Sequence, residues 1–184
     1  MAAPSNLTDS DKLQQLWDKE QIREVVARYC RGVDRFEEEL AKSIYLPRST
    51  EDHGVYLGDG RKMIDFLRYL KDTDYVGHHS LGQSLVELNG DTANCETYFV
   101  CGIAQTYDKD THKSFVDLRG RYLDTLERVP GGWQVANRVA VMDLTYQRPL
   151  DPAWNIAQAF IQGKRYPDDL VYHPNKYAER VPPN

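Results

Sequence analysis

The 184-residue chain has no apolar run near the roughly 20 residues that cross a bilayer. Its first ten residues lack the basic-then-apolar order of a secretory signal. Cysteine is scarce. Cys30, Cys95 and Cys101 are odd in number, and none stands in a C-x-x-C pair. That argues against a disulfide framework and for free, buried thiols in a reducing compartment. Lysine and arginine form no stripe, and 23 of them against 28 acidic residues give a net charge of −5. A duplex nucleic-acid partner is not expected from such a surface. The glycines are scattered over turns, so neither a phosphate-cradling loop nor a dinucleotide fingerprint is present. These absences point to a soluble, cytoplasmic protein of one compact domain that binds neither membrane nor nucleic acid.

Phenylalanine is sparse as well, with five against twelve tyrosines. Tyrosine has a flat apolar body and one hydrogen-bonding tip, which suits a pocket for aromatic or polyoxygenated ligands. The plainer alternative is that most of them are half-buried residues of strands and rims.

Thr8 with Asp11 three residues on is a capping box and opens a first helix. Leu13, Leu16 and Trp17 make its first apolar turn. Ile22, Val25, Val26, Tyr29, Cys30 and Val33 continue one buried face at helical spacing, and Gly32 marks fraying near the end. A second helix is expected over 35–45, a short strand over 52–58 and a third helix over 60–72. From Val76 the period changes to that of strands. Asn89-Gly90, Asp108-Lys109-Asp110 and Pro130-Gly131-Gly132 turn the chain between four long antiparallel strands ending near Tyr146. Beyond that, six of the nine prolines leave only 153–162 helical. The expected class is α+β: a strongly twisted antiparallel sheet wrapped over three N-terminal helices as a conical barrel with an internal pocket. Residues 1–10 form a tail, 11–147 the domain and 148–184 an extension.

Asp34 lies one residue after Val33 and four after Cys30, at the edge of the buried stripe of the first helix. A surface ion pair with Arg31 or Arg35 is the bland alternative. His78 and His79 are adjacent in a strand, so only one faces inward. His79 shares its face with Leu81, Gln83 and Leu85, which selects it. A structural histidine bonded to a backbone carbonyl is the alternative here. Together the two residues suggest a dyad: an aspartate fixes one imidazole nitrogen and stabilises the imidazolium formed when the other takes a proton. Such a dyad works without metal or cofactor.

The segments Arg28-Tyr29-Cys30-Arg31-Gly32-Val33-Asp34-Arg35, Asp52-His53-Gly54-Val55-Tyr56-Leu57-Gly58 and His79-Ser80-Leu81-Gly82-Gln83 resemble successive motifs of SnoaL-like proteins. That family belongs to the nuclear-transport-factor-2-like, or cystatin-like, superfamily. The resemblance is to the branch of scytalone dehydratase, hexachlorocyclohexane dehydrochlorinase and bile-acid 7α-dehydratase, over roughly Leu13 to Tyr146. It implies a deep pocket with Asp34 and His79 as the catalytic dyad. It also implies substrate contacts from Tyr29, His53, Tyr56, Gln83 and Arg138, with Gln83 standing where the family more usually has asparagine. A second strand histidine of scytalone dehydratase has no counterpart, because His112 falls in a turn. Homo-oligomers, trimers or dimers, are implied too, with the C-terminal extension at a subunit interface or over the pocket.

The expected function is therefore a cofactor-independent lyase acting on a hydrophobic, aromatic small molecule. It would expel water, halide or a small carbonyl such as formaldehyde, with His79 as general base. An isomerase or cyclase moving a proton without expelling anything is the runner-up. A non-catalytic ligand-binding protein, or a small subunit of an oxygenase, is the third reading.

Overall fold

The computed structural model describes residues 7–106, 113–150 and 160–174. Helix α1 (Asp9–Arg35) starts at the expected capping box. The Asp11 N–H donates to Thr8 Oγ1 at 3.2 Å, and the Thr8 N–H donates to Asp11 Oδ2 at 2.9 Å. These bonds satisfy donors that a helix N-terminus leaves open. Ile22, Val25, Val26, Tyr29 and Cys30 are buried, as their spacing requires. Leu13, Leu16 and Trp17 are instead more than half exposed. The sheet reaches only as far as Asp18, which accepts from Arg128 at 2.7 and 2.9 Å and from the Trp133 indole at 3.1 Å. Earlier turns of α1 project past it.

Gly32 does not fray the helix end. It is buried where α1 meets α2 (Glu38–Ser43), and a Cβ there would lie 2.7 Å from both Cβ and N of Ala41. The expected helix over 35–45 is shortened to those six residues, and Tyr45 already opens a strand. This strand, β1 (Tyr45–Asp52), was hidden by Pro47 and by the charges of Arg48, Glu51 and Asp52. The expected strand over 52–58 is mainly the turn into β2 (Leu57–Asp59), antiparallel to β1. Asp59 then caps α3 (Gly60–Leu67), accepting from the N–H groups of Arg61 and Lys62 at 2.8 and 3.1 Å. A 3-10 turn (Arg68–Asp72) completes what the spacing reads as one helix.

The meander follows as expected: β3 (Val76–Asn89), β4 (Thr92–Thr106), β5 (Lys113–Val129) and β6 (Gly132–Pro149). The sheet order is β2-β1-β6-β5-β4-β3. The β1–β6 pair is parallel, so the α+β class stands with a mixed sheet rather than a purely antiparallel one. The core joins Ile22, Val25 and Val26 of α1 to Val86, Leu126 and Val135 of the sheet. All three cysteines are free and buried.

Strand β3 carries an irregularity. Leu81 pairs with Phe99 while Ser84 pairs with Thr97, so one residue is extra at Gly82–Gln83. A bulge of this kind reverses which face later residues occupy. Past β6, Arg165 donates to the carbonyls of Thr73 and Tyr75 at 3.0 and 2.8 Å, tying the segment 160–174 to the start of β3. The turn expected at 108–110, and all but the end of the helix expected over 153–162, lie outside the described residues. No described helix is long and apolar enough to cross a membrane.

The close approach at Gly32 sets a prediction. Alanine is the better helix former by about 1 kcal/mol, yet Gly32→Ala is expected to destabilise by about 1–3 kcal/mol through overpacking against Ala41. Urea unfolding of the variant measures it; a stability gain would mean the contact is not tight.

Candidate active site

A cavity of about 360 Å³ is lined from α1, α3 and the sheet, a volume ordinary for small-molecule sites. Its walls are largely apolar, with Val33, Phe36, Ile64, Phe99, Ile103 and Leu118 among them. Asp34 sits in the last turn of α1. The helix then stops because Phe36 takes a left-handed conformation, φ 55°, and its N–H returns to the carbonyls of Gly32 and Val33. A carboxylate at a helix C-terminus opposes the macrodipole and needs donors from elsewhere. His79 supplies them.

The His79 imidazole Nδ1 lies 2.6 Å from Asp34 Oδ1, and the His79 backbone N–H donates to Asp34 Oδ2 at 2.8 Å. Both side chains are 9% exposed. A carboxylate acceptor assigns the proton to Nδ1 and leaves Nε2 for a ligand. Cys101 Sγ stands 3.8 Å from the same Nδ1. Burial disfavours an imidazolium here, but the bond to Asp34, helped by Cys101, outweighs it and lifts His79 from 6.5 to about 9. His78 is exposed on the other face, as alternation requires.

Tyr29 and Tyr122 line the cavity beside the dyad, ring centroids 5.6 Å apart and edge-on. His79 is 6.5 Å from Tyr29, and Phe99 stacks on Tyr122 at 4.2 Å. Burial pushes both phenols well above their usual 10, so they are neutral donors. His53 also reaches the cavity. Its Nδ1 lies 2.7 Å from Oε1 of the fully buried Glu51, whose Oε2 accepts from the Tyr45 hydroxyl.

Three expected substrate contacts are placed elsewhere. Arg138 is fully buried but does not line the cavity. It pairs with Asp124 at 2.7 and 2.8 Å, and its guanidinium lies 4.3 and 4.4 Å from the Tyr29 and Tyr122 ring centroids. The two tyrosine rings thus stand between it and a ligand. Gln83 is exposed on the outer face, because the β3 bulge reverses the alternation that placed it with His79. Tyr56 donates to the Asp59 carbonyl at 3.0 Å and packs on Phe66 outside the lining. Residues the sequence reading missed are Glu51, Tyr45, Tyr122 and Phe99. The i, i+2 spacing of Glu51 and His53 was the available signal once β1 is known. Among the described residues no cluster of three or more His, Cys, Asp or Glu is arranged for a metal ion.

Residues 14–139 match the SnoaL-like domain. The chain belongs to the SnoaL-like family. Solved structures agree on the fold. A protein provisionally named a scytalone dehydratase, from Novosphingobium aromaticivorans, is similar with a TM-score of 0.64 at 16% identity, over 74% of this chain and 91% of its own. Hexachlorocyclohexane dehydrochlorinase LinA-type3 from Novosphingobium barchaimii gives 0.62 at 18% identity, over 77% and 95%. The beta subunit of a provisionally named aromatic-ring-hydroxylating dioxygenase from N. aromaticivorans gives 0.55 at 19%, over 72% and 92%. At these identities the likeness is one of fold. No curated protein sequence matches the chain.

The dyad makes stability depend on pH. The folded value of His79 is raised, so the contribution of its pair with Asp34 is complete below pH 6.5 and lost as pH rises through about 9. The gap between 6.5 and about 9 corresponds to about 3 kcal/mol. Urea unfolding across that window is expected to show this loss in the native protein and not in Asp34→Asn. Parallel curves would contradict the coupling.

Proposed function

We propose that this SnoaL-like protein is a cofactor-independent lyase for a hydrophobic, aromatic small molecule. It removes a proton next to an electron-withdrawing group and expels a leaving group from the adjacent atom. The observation that carries this reading is the 2.6 Å contact of Asp34 with His79 Nδ1 inside a sheltered, mostly apolar cavity. Asp34 holds the ring in one tautomer, so that Nε2 is the base, and it stabilises the imidazolium once the proton arrives. Tyr29 and Tyr122 remain neutral phenols beside the ring and donate to the developing anion, where preorganised donors act most strongly. Proteins that share this fold are named as a dehydrochlorinase and, provisionally, a scytalone dehydratase, which fits elimination.

A second reading, isomerisation, is favoured by one observation. An imidazolium held up to about 9 keeps the abstracted proton and is placed to return it to another carbon. Product mass separates the two, since only elimination yields a lighter product. A β-hydroxy-β-phenyl ketone is a suitable probe, because loss of water gives a conjugated, absorbing enone.

The base itself is tested with nitrobenzisoxazole, whose ring opens when a base removes its C–H proton. His79→Ala and Asp34→Asn are each expected to lower kcat/KM by about 10²–10⁴-fold, the usual share of general-base catalysis. The rate limited by free base should rise with pH through about 9 in the native protein and level off at lower pH in Asp34→Asn. Unchanged turnover in both variants would remove the dyad from the mechanism.

A further inference from the structure

We propose that His53, held by Glu51, is the general acid that protonates the leaving group in this same cavity. The proposal rests on the assignment of Asp34–His79 as the base and narrows the substrate class to compounds with poor, oxygen-centred leaving groups.

Glu51 is fully buried, and a buried carboxylate persists only when its oxygens are bonded. Both are. Oε2 accepts from the Tyr45 hydroxyl, and Oε1 faces His53 Nδ1 at 2.7 Å. With the carboxylate as acceptor, Nδ1 carries a proton, and Nε2 is the nitrogen left for a ligand. The backbone fixes the ring's position: the His53 N–H donates to the Tyr56 carbonyl at 2.8 Å, and Gly54 takes φ 71°, a turn conformation that L side chains rarely adopt. Glu51 also stands opposite Arg138 in the parallel β1–β6 register, so a buried positive charge lies behind the pair. The result is a second carboxylate–histidine pair on the cavity wall, built with the same parts as the first.

The two pairs flank the tyrosines. His53 is 6.4 Å from Tyr122, His79 is 6.5 Å from Tyr29, and the two tyrosines are 5.6 Å apart. In a concerted elimination the base is still taking the C–H proton while the leaving group departs, so a separate donor must protonate that group, and an apolar cavity does not release hydroxide or alkoxide unprotonated. The chemistry balances with two histidines. His79 Nε2 takes the C–H proton, and that electron pair forms the new double bond. The C–O bond breaks, and the departing oxygen keeps its pair and takes the Nε2 proton of His53, which enters the step as the imidazolium with Nδ1–H on Glu51 and leaves it as the neutral ring. His79 has gained one proton and His53 has lost one, and exchange with solvent at the cavity mouth resets both. Halide needs no such donor, so the pairing points to loss of water or of an alcohol from an aromatic β-oxygenated carbonyl compound.

Two probes separate the roles: nitrobenzisoxazole, which releases a weakly basic phenolate, and unsubstituted benzisoxazole, which releases a more basic one. His53→Gln and Glu51→Gln are expected to slow the unsubstituted probe at least tenfold more than the nitro probe. His79→Ala should abolish both alike. A leaving-group ratio unchanged by His53→Gln, with both rates still dependent on His79, would overturn the proposal and leave the base intact. Rates on both probes that do not need His79 would instead overturn the base assignment. Glu51 lies wholly inside, so if its variant does not fold, His53→Gln carries the test alone; its side chain is 24% exposed at the cavity. A merely structural role for Glu51 would lower both rates together and leave the ratio unmoved.

Discussion

A carboxylate at the C-terminal end of a helix, almost out of water, is the constraint around which the molecule is arranged. Helix dipole and burial both oppose the charge on Asp34. It persists because β3 presents an N–H and an imidazole to its two oxygens. The cost on one side becomes the chemistry on the other: the same bond that stabilises the carboxylate lifts His79 to about 9. Everything that fixes the end of α1 relative to β3 is therefore part of the site. Asp18 anchors the helix to the β5–β6 hairpin, and Gly32 lets α2 approach to contact distance. Phe36 turns the chain away immediately after the carboxylate.

Behind the dyad lies a layer of aromatic rings over a buried ion pair. Arg138 Nε and Nη2 pair with Asp124 at hydrogen-bond distance with neither side chain exposed, while Arg138 Nη1 is buried without a partner among the described residues. A pair so placed is weak evidence for stability, since desolvation offsets most of its attraction. Its position against the faces of Tyr29 and Tyr122 suggests another use. The cation orders two rings whose hydroxyl-bearing bodies line the cavity, and it does so through their π faces. The tyrosine excess of the sequence is thus partly concentrated at one place, although Tyr56 and Tyr98 lie on rims and outer faces.

Much of this was legible because two periodicities were clean. The apolar stripe of α1 placed Asp34 at an inner edge, and the alternation of β3 separated His79 from His78. Three features were not. The bulge at Gly82–Gln83 carries no distinctive residue beyond one glycine, so the alternation extended past it moved Gln83 and Leu85 to the wrong face. Strand β1 reads as a charged loop, because Pro47 interrupts it and its neighbours are polar; what makes it a strand is pairing with β6, a partner some ninety residues away. Family resemblance places Arg138 in the pocket, but its partner Asp124 is one strand across, and no local spacing announces that pair.

The missed strand matters most for function. A meander of four antiparallel strands supplies His79 beside Tyr29, Tyr122 itself and Phe99 stacked on it. The mixed sheet arises because β1 inserts parallel to β6, and this insertion brings Tyr45 against Tyr29 and Glu51, with His53 just past the strand's end, to the Tyr122 end of the tyrosine pair. Glu51 stands in register with Arg138 and Asp52 with Val139, so the strand's inward position is set by the edge of the core and not by its own hydrophobicity. A polar strand is tolerated there because Tyr45, Glu51 and His53 find partners in one another, although the buried Ser49 hydroxyl has none among the described residues. The chain thereby spends three polar residues on a wall that apolar ones would fill more simply, and such a departure from economical packing is where a fold most often carries chemistry.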